Sequence, residues 1–564
     1  MEGKGNPKLE NNVNQYMYSF MQKSNEGYDN DIAIQYMGVN ISFGELNRRI
    51  DNYCKSLLEL GVKPGEIVSI CMPTTPETVA LMYAINKIGA VSNFIDVTQD
   101  AEYIRHCINN VDSKLVITFN GILPKIAKIV DKTKLDNIVY VSALESLPLV
   151  KKNVIEFLGR VTGKLPKFST SDQGFKGWNE FLKLSAYHKT EIIVPEFRKE
   201  QLGFIEYTSG TTGIPKAIEL TNDCANLKVI QYSQNDMIID RQDVFLDIIP
   251  VFVAFGVIMG VQLPLSLGMR DELIAAFDKN DMIKYFSKVK PQHWCLTPSS
   301  YSYLVADPKF KTLDMSRSRT IGCGGDGMNK WQSIIIDEKL MEQGSRFKVT
   351  NGYGASELGA PFSTGTYKYN KPGSVGFPLP GNEIIIFKEG TFEKAEPNEI
   401  GDVCMIGEYP MLGYHGDLEA TEKAKITLDD GRVALMLGDK GYVDEEGYIF
   451  IKGRAKDILK SNIGDLWPCD VESHIMSSRL VKFCAVSDSS VEGKLTAYIE
   501  PLDGYDDLVK EYIRYVFERD EFYKDLDIDF VIVDSIPLTL TGKIDRKKLK
   551  YNSDKNLLLL KQNK

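Results

Sequence analysis

The stretch YTSGTTGIPK, residues 207–216, ends an apolar run at 204–207 and precedes another at 217–220. Its glycines allow the backbone to approach an anion closely, and its hydroxyl and N–H groups can donate to phosphate oxygens. Lys216 adds a positive charge, but Pro215 precedes it, so the stretch is not a Walker A loop, which needs Gly-Lys-Ser/Thr. The stretch therefore predicts a phosphate-binding loop between two strands.

The region before this loop alternates helix and strand patterns. Ser42 and Glu45 form a capping box for a helix that ends at Gly61, and Thr75 caps a second helix with Pro76 in its first position. Strand–helix–strand alternation with short connections predicts parallel sheets covered by helices. The runs predicted to be buried strands are 67–70, 91–95, 115–118 and 138–141.

Composition limits the classes of partner and compartment. The 564 residues are enough for several subdomains, and the net charge of −10 argues against a general nucleic-acid or membrane-surface binder. The nine cysteines form no C-x-x-C pair and the five histidines form no cluster, so we expect no disulfide framework and no protein-built metal site. These counts do not exclude a metal ion that binds together with a nucleotide. The polar N-terminus indicates no signal peptide, and we expect a cytoplasmic protein.

Two further segments need an interpretation. Residues 248–268 carry no charge and could span a bilayer, but they contain Pro250 and Pro264, so we predict a buried core segment and no transmembrane span. Residues 151–177 are basic and rich in turn residues, which predicts a surface insertion. An alternative is an amphipathic segment that touches a membrane or an acyl carrier protein through Phe157, Leu158 and Leu165.

The phosphate loop also resembles the signature of a known superfamily. YTSGTTGIPK is similar to the signature of the adenylate-forming enzymes, which include acyl-CoA synthetases, the adenylation domains of peptide synthetases and firefly luciferase. The later segments of that family follow in order: NGYGASE at 351–357, GDKGYVDEEGYIFIKGRAKD at 438–457 and PLTLTGKIDRKKL at 537–549.

The resemblance implies an α/β fold with two domains. A large N-terminal domain at 1–455 would contain stacked α/β subdomains and a small β-barrel-like part, and would carry the AMP-binding site and acyl pocket. A small mobile α+β domain at 456–564 would carry the catalytic lysine. Lys456 matches the family's hinge, about which the small domain is expected to rotate after adenylation.

The resemblance also assigns the ATP contacts. Glu357 would bind the magnesium ion that accompanies ATP, because a hard cation prefers carboxylate oxygen. Ser356 would donate to the α-phosphate, and Asp439 and Arg454 would bind the ribose. Leu437 stands where the family usually has threonine, so one polar contact is expected to be missing. The remaining predicted ATP-binding residues are Ser209, Gly210, Thr211, Thr212, Gly213 and Lys216 at the phosphates, Tyr353, Gly324 and Gly325 at the adenine, and Thr208 and Gly354 in the same motifs.

Lys543, in the LTGKIDR segment, matches the family's mobile catalytic lysine. A carboxylate must attack the α-phosphate of ATP, and both groups are anionic, so the enzyme has to neutralise charge and align the reactants. A lysine ammonium is a compact point charge that can bridge the acyl oxygen and the α-phosphate.

The acyl pocket shows where this chain departs from the family. Val253 replaces the ring that often follows Pro-x-Phe in acyl-CoA synthetases, which leaves room for a bulky or long acid. The same position is often aspartate in amino-acid activators, and valine cannot pair with an ammonium group, so amino acids are disfavoured. The residues predicted to line the pocket are Val253, Ala254, Gly256, Asp326, Gly352 and Ala355.

These expectations combine into one function with alternatives. The chain is expected to activate a carboxylic acid, with fatty acids favoured, to acyl-AMP and pyrophosphate, and then to form a thioester with coenzyme A. The required small molecules are the acid, ATP, Mg²⁺ and coenzyme A. Alternatives are an aryl-acid–CoA ligase, an acyl-AMP ligase that loads a carrier protein, or a non-catalytic nucleotide-binding protein. Gly464 lies one residue later than the family's Lys-x-x-Gly spacing, so the acceptor thiol stays open.

Overall fold

The computed structural model describes most of the chain and divides it into two compact units. The described residues are 9, 12–162, 174–208, 215–505, 508–539 and 542–549. The first unit contains Met1–Phe277, Gly354–Phe362 and Gly407–Lys425, and the second contains Asp278–Tyr353, Ser363–Ile406 and Ile426–Lys564. The domain boundary expected at residues 455 and 456 stays a prediction.

The larger sheet of the first unit has seven strands, and all but one pair of neighbours run parallel. This confirms the predicted parallel arrangement. The antiparallel pair joins the strands on either side of the phosphate loop, whose residues 209–214 lie outside the described part of the chain. From edge to edge, the strands are Phe175–Gly177, Asn137–Val141, Leu115–Phe119, Ile67–Cys71, Val91–Phe94, Leu202–Tyr207 and Ala217–Thr221.

Both predicted N-cap hydrogen bonds are present in the first unit, but the capping box predicted for Ser42 and Glu45 is only half formed, because the carboxylate of Glu45 bonds to Arg48 and Arg49. The Oγ of Ser42 accepts a hydrogen bond from the N–H of Glu45 at 3.2 Å, where helix Phe43–Glu59 begins. Thr75 caps helix Pro76–Lys87 in the same way. These bonds satisfy N–H groups that have no partner inside the helix. The other helices of this unit are Met17–Ser24, Ala101–Asn110, Leu123–Ala127, Leu149–Val161, Trp178–Leu184, Asn222–Ser233, Leu263–Ser266 and Leu418–Ala424, the π-helix Gly256–Gln262, and the short 3₁₀ turns Asn120–Ile122, Val130–Lys132 and Ser356–Leu358.

The uncharged stretch at 248–268 lies in the core, as predicted: it is fully buried from residue 256 onward and partly half-buried before it. Every residue of Gly256–Gln262 and Leu263–Ser266 is buried. A Cβ atom at residue 256 would lie 2.0 Å from the carbonyl oxygen of Pro250, so only glycine fits there. Within the described ranges, no helix has both the length and the hydropathy needed to cross a membrane.

Helix Leu149–Val161 turns an apolar face to solvent. Its opposite face is held by polar contacts, in which Lys152 pairs with Glu145 and Glu156 accepts a hydrogen bond from Ser142 at 2.6 Å. The helix lies at the surface, as expected of the insertion, while Leu165 falls outside the described residues. Contact with a membrane or an acyl carrier protein stays a prediction. The exposed apolar side chains are Leu149, Val150, Val154, Phe157, Leu158 and Val161.

The second unit contains several smaller sheets. One set of strands has the order Phe377–Pro378, Ser363–Thr364, Thr350–Tyr353, Thr320–Cys323 and His293–Leu296. In another sheet, Gly401–Ile406 pairs with Glu383–Phe387, Val433–Leu435 and Asp439–Val443, and the last of these pairs with Ile449–Arg454. Strand Lys425–Thr427 lies across the boundary between the units in sequence. The helices before residue 456 are Met282–Val289, Pro298–Ala306 and Lys330–Glu342, with 3₁₀ turns Lys279–Asp281, Pro308–Thr312 and Ala455–Asp457.

The last part of the second unit has the α+β composition expected of the C-terminal region. A hairpin, Leu459–Ser461 with Gly464–Leu466, precedes a sheet of three strands, in which one pair is antiparallel and one parallel. Val471, Ile475, Val486, Ile499 and Ile513 are among the fully buried residues of its core. The strands are Val481–Asp488, Leu495–Pro501 and Ile528–Ile532, and the helices are Pro468–Met476, Val509–Glu518 and Arg546–Leu549.

A second group of strands in the first unit carries two buried carboxyl groups. Asp247 and Asp271 lie on the neighbouring parallel strands Val244–Asp247 and Arg270–Leu273, which continue to Ile32–Tyr36 and Val39–Ser42. Within the described part of the chain, Asp247 Oδ2 and both oxygens of Asp271 accept no hydrogen bond. Burial raises the pKa of both groups, and the charge of Asp247 raises the pKa of Asp271 further.

We expect the variant Asp247→Asn to be more stable than the wild type at neutral and alkaline pH. A carboxyl whose pKa is raised by folding keeps its proton in the native state while the unfolded chain releases it. Its contribution to stability therefore falls as pH rises from the unfolded pKa to the raised native pKa. The difference in melting temperature between variant and wild type should grow from about pH 4 to about pH 7, the raised native pKa of Asp247, and should level off above it. The matched exposed variant Asp131→Asn should show a flat difference in the same thermal-shift series. An equally flat difference for Asp247→Asn would contradict the assignment.

Candidate functional site

The base of the phosphate loop is closed by hydrogen bonds between its two ends. The N–H of Thr208 donates to the carbonyl oxygen of Lys216 at 3.0 Å, and the N–H of Lys216 donates to Thr208 Oγ1 at 3.2 Å. The Nζ of Lys216 lies 4.6 Å from the ring centroid of Tyr414. The predicted phosphate ligands Ser209, Gly210, Thr211, Thr212 and Gly213 lie outside the described residues.

Tyr414 also contacts the predicted magnesium ligand. Its hydroxyl donates to Glu357 Oε1 at 2.8 Å, so one tyrosine contacts both Lys216 and Glu357. The N–H of Met411 donates to the carbonyl oxygen of Glu357 at 2.8 Å, which fixes the backbone of the same residue. Glu357 forms no ion pair with any described cation. Its carboxylate is therefore positioned but not neutralised, and this suits a cation ligand.

The segment that carries Tyr414 is attached to the edge strand beside the phosphate loop. The N–H of Glu219 donates to the carbonyl oxygen of Gly413 at 3.0 Å, and the N–H of Leu412 donates back to Glu219 at 2.9 Å. The N–H of His415 donates to Ala217 at 2.8 Å. The extended pairing of this strand therefore determines where Tyr414 lies. No motif in the sequence predicted a role for Tyr414, because its partners lie far away along the chain.

The other predicted residues of the first unit lie in two segments. Ser356 and Glu357 belong to the one-turn helix Ser356–Leu358 and are half-buried, directly after Gly354 and Ala355. Ala254 and Gly256 are buried, and Val253 is half-buried. The structure brings Gly256 into the π-helix described above.

A second set of predicted residues meets in the second unit. The hydroxyl of Tyr353 donates to Asp439 Oδ2 at 2.7 Å, and Arg454 Nε lies 3.5 Å from Asp439 Oδ1. Asp439 and Arg454 are paired across two antiparallel strands, so the sheet register holds this contact. An aromatic ring and a carboxylate joined in this way can bind a base and the hydroxyls of a ribose.

Gly324, Gly325 and Asp326 follow the carboxyl end of strand Thr320–Cys323. Asp326 Oδ2 accepts a hydrogen bond from the N–H of Ile544 at 3.1 Å, and Oδ1 accepts one from the N–H of Gly327 at 3.0 Å. Asp326 thus binds the backbone next to Lys543. The predicted placement of Asp326 and Gly352 in the acyl pocket stays a prediction.

The loop that carries Lys543 is held from a second side. The Oγ of Ser299 donates to the carbonyl oxygen of Gly542 at 2.6 Å. Gly542 has φ +80°, and a Cβ atom there would lie 2.6 Å from Thr297 Oγ1, so the close approach requires glycine. Thr297 and Ser299 were not predicted as site residues, because the pattern Thr-Pro indicates only a helix start.

The C-terminal part of the second unit is also fixed by a buried carboxyl. Glu500 accepts a hydrogen bond from the hydroxyl of Tyr303 at 2.6 Å and another from the N–H of Ile536. Lys279 and Lys482 lie 3.9 Å and 4.6 Å from the ring centroid of Tyr303. Burial raises the pKa of Glu500. These contacts and those of Ser299 fix the segment that carries Lys543 within this unit.

The site residues therefore form two sets, and the motif at 351–357 contributes to both. Tyr353 belongs to the second unit, and Gly354 begins the part of the motif that belongs to the first. Among the described residues, no group of three or more His, Cys, Asp or Glu side chains could hold a metal ion. A magnesium ion at Glu357 would need phosphate oxygens and water as its other ligands. Lys456 lies in the turn Ala455–Asp457, and its role as a hinge stays a prediction.

Comparisons with known proteins support the resemblance to the adenylate-forming enzymes. A family model described as AMP-binding enzyme matches residues 21–415. A long-chain-fatty-acid–CoA ligase of Bacillus subtilis is 25% identical over 552 residues, covering 96% of this chain and 95% of that protein.

Two solved structures show the fold. An anthranilate CoA ligase in complex with anthranoyl-AMP superposes with a TM-score of 0.80 at 21% identity, covering 95% of this chain and 97% of that one. ATP-bound MatB from Rhodopseudomonas palustris gives a TM-score of 0.76 at 19% identity, covering 96% and 98%. The expected fold of the adenylate-forming enzymes is thereby confirmed.

We expect Tyr353→Phe to weaken ATP binding. The variant keeps the ring but removes the hydrogen bond that orients Asp439, and a bond to a charged group contributes about 1.5–3 kcal/mol. Isothermal titration with MgATP should give a dissociation constant about ten- to a hundredfold higher. The exposed control Tyr512→Phe should bind like the wild type. If Tyr353→Phe binds MgATP with unchanged affinity, the hydrogen bond between Tyr353 and Asp439 has no part in nucleotide binding.

Proposed function

The chain belongs to the AMP-binding enzyme family, and from that premise we propose that it is an AMP-forming acid–CoA ligase. In the first half-reaction, a carboxylate oxygen of the acid attacks the α-phosphorus of ATP, and pyrophosphate leaves. In the second, the thiol of coenzyme A attacks the acyl carbon, and AMP leaves. The proposed acid is a fatty acid.

The position of the Lys543 loop is the observation that supports this proposal most. Ser299 and Asp326 bind the backbone on either side of Lys543, directly after the strand that leads to Gly324 and Gly325. Lys543 itself is half-buried, and its side chain forms no ion pair with a described residue. An uncompensated ammonium on a fixed loop can stabilise the charge that develops between the acid and the α-phosphate.

The two sets of residues supply the other requirements of adenylation. Lys216 contributes positive charge for the phosphates, and Glu357 binds the magnesium ion that shields them. Tyr353 binds the adenine, while Asp439 and Arg454 bind the ribose, and Ser356 donates to the α-phosphate. These assignments rest on the family resemblance. The contacts of Tyr414 with Lys216 and Glu357, and those of Asp439 with Tyr353 and Arg454, add support for all of them except Ser356, whose role rests on the resemblance alone.

A fatty acid is proposed because the pocket segments in the first unit are apolar. Val253, Ala254 and Gly256 carry no charged or hydrogen-bonding side chain. The similar Bacillus subtilis protein is a long-chain-fatty-acid–CoA ligase, whereas the similar solved structure is an anthranilate CoA ligase. An aryl acid is therefore the second candidate, favoured by the same absence of polar side chains.

The acceptor is proposed to be coenzyme A, because the similar proteins are named as CoA ligases. The loop at 460–468 forms the hairpin Leu459–Ser461 with Gly464–Leu466, in which Gly464 carries the altered spacing. Because this spacing differs from that of the family, the thiol of a carrier protein is the alternative acceptor. A cytoplasmic location belongs to the same proposal.

The experiment that tests the function measures acid-dependent pyrophosphate and AMP with a panel of fatty, aryl and amino acids. Each acid is supplied with and without coenzyme A. Turnover that depends on one class of acid and on coenzyme A would support the ligase. Pyrophosphate release that coenzyme A does not accelerate would replace it by a carrier-protein ligase. No ATP consumption with any acid would contradict the proposed activity.

We expect Lys543→Ala to lower the rate of acyl-adenylate formation by roughly two to three orders of magnitude, the scale for removing one donor to a transition-state charge. Binding of ATP should change little, since the ammonium acts mainly in the transition state. The exposed neighbour Lys548 pairs with Asp545, and Lys548→Ala serves as the control for charge in this segment. If Lys543→Ala forms acyl-AMP within about twofold of the wild-type rate, the catalytic assignment is wrong.

A further inference from the structure

Lys228 is a buried cation that has no counter-ion among the residues that the structure describes. It lies on helix Asn222–Ser233, and its side chain is almost fully buried. Its Nζ donates to Gln231 Oε1 at 3.3 Å and lies 5.1 Å from the ring centroid of Phe362. No described carboxylate forms an ion pair with it. An amide oxygen and an aromatic face compensate only part of an ammonium charge.

This contrasts with Lys87, another largely buried lysine of the same unit. The Nζ of Lys87 pairs with the carboxylate of Asp51 and donates to the hydroxyl of Tyr18 at 3.0 Å. Burial of that ammonium is compensated inside the protein, and the pKa of Lys87 is raised. Burial instead lowers the pKa of Lys228 to about 8, which still leaves it mostly protonated at neutral pH. Lys228 therefore holds a charge that no described residue neutralises.

Three segments of the first unit meet beside Lys228. A Cβ atom at Gly359 would lie 2.6 Å from Cys224 Sγ, 3.0 Å from Ile258 Cδ1 and 3.9 Å from Lys228 Cγ. Helix Asn222–Ser233 and the π-helix Gly256–Gln262 thus approach the segment at 354–362 at this point. The π-helix begins with Gly256, and the segment at 354–362 contains Ala355. Both residues belong to the predicted acyl pocket.

The described groups that contact Lys228 supply no negative charge. Burial raises the pKa of the Cys224 thiol to about 11, so this neighbour is neutral. Gln231 and Phe362 are uncharged side chains. If an acid with a plain hydrocarbon chain filled the pocket, Lys228 would stay unpaired and lose any water that reaches it. A substrate with a second anionic group would instead compensate the charge.

We propose that Lys228 binds a second anionic oxygen group, a carboxylate in its simplest form, on the acyl part of the substrate. This inference rests on the proposed function and specifies its acid as a dicarboxylic acid with an apolar chain. One carboxylate reacts with ATP, and the other pairs with Lys228 and does not react. Lys228 is thus a specificity-determining residue.

The test compares matched acids and matched variants. The acids are hexanoic and adipic, decanoic and sebacic, and hexadecanoic and hexadecanedioic, so that each pair differs in the second carboxylate. The variants are Lys228→Met, which keeps length but removes charge, and Lys228→Arg, which keeps charge. Lys87→Met is the control for loss of a buried lysine. For each protein, acid-dependent pyrophosphate release and the thermal shift caused by each acid are measured.

For the wild type, we expect at least one dicarboxylic acid to exceed its monocarboxylic partner in kcat/KM by about ten- to a hundredfold, the range for a hydrogen bond to a charged group. Lys228→Met should remove or reverse this preference by raising the KM of the diacid, with kcat for the monocarboxylic partner retained. Lys228→Arg should keep part of the preference, and Lys87→Met should keep all of it.

The two readouts separate failure of this inference from failure of the proposed function. Turnover without a preference for any diacid, or a preference that Lys228→Met leaves unchanged, would overturn the role of Lys228 and leave the ligase intact. If no acid is turned over, the ligase fails, and the thermal shift decides about Lys228. If a diacid raises the melting temperature of the wild type but not that of Lys228→Met, Lys228 binds the diacid. If the diacid raises both melting temperatures equally, the proposed role of Lys228 is overturned.

Discussion

The antiparallel pairing of Leu202–Tyr207 with Ala217–Thr221 places the two ends of the phosphate loop side by side, and the position of the first set of site residues depends on it. The outer edge of Ala217–Thr221 then pairs with the chain at 412–415. That second pairing brings Tyr414 to both Lys216 and Glu357. Backbone hydrogen bonds thus determine the separation of a cation and a carboxylate that are distant in sequence. Because such bonds are obligatory for buried backbone, we expect side-chain substitutions to leave this geometry unchanged.

Local patterns predicted the fold well, because the determining interactions are local. Ser42 and Thr75 were identified as caps from neighbouring residues, and the structure contains both bonds. The strands around the phosphate loop were likewise predicted from short apolar runs next to glycine-rich sequence. The pairing order of those strands, by contrast, depends on contacts between distant segments. Only the preference for parallel pairs could be inferred from the sequence.

The site was predictable where it coincides with a motif and not elsewhere. Asp439 and Tyr353 were assigned to one nucleotide from separate motifs, and their side chains do form a hydrogen bond. Tyr414, Thr297 and Ser299 act through contacts that tertiary packing creates, so no spacing in the sequence points to them. The carboxylate of Asp326 shows a related limit. Its motif position indicated the acyl pocket, whereas its observed hydrogen bonds go to the backbone of Gly327 and Ile544.

Buried polar groups differ in whether the protein itself satisfies them, and this difference separates structural from functional residues. Glu500 is buried but accepts hydrogen bonds from Tyr303 and Ile536, so its burial fixes one part of the chain against another. Asp247 and Asp271 reduce their cost by keeping protons, since a neutral carboxyl tolerates burial far better than a carboxylate. Lys228 is neither fully paired by the described residues nor neutral. Its pKa of about 8 leaves the ammonium mostly protonated near neutral pH. A residual charge of this kind persists at a cost in stability, and the cost is offset when a ligand supplies the missing anion.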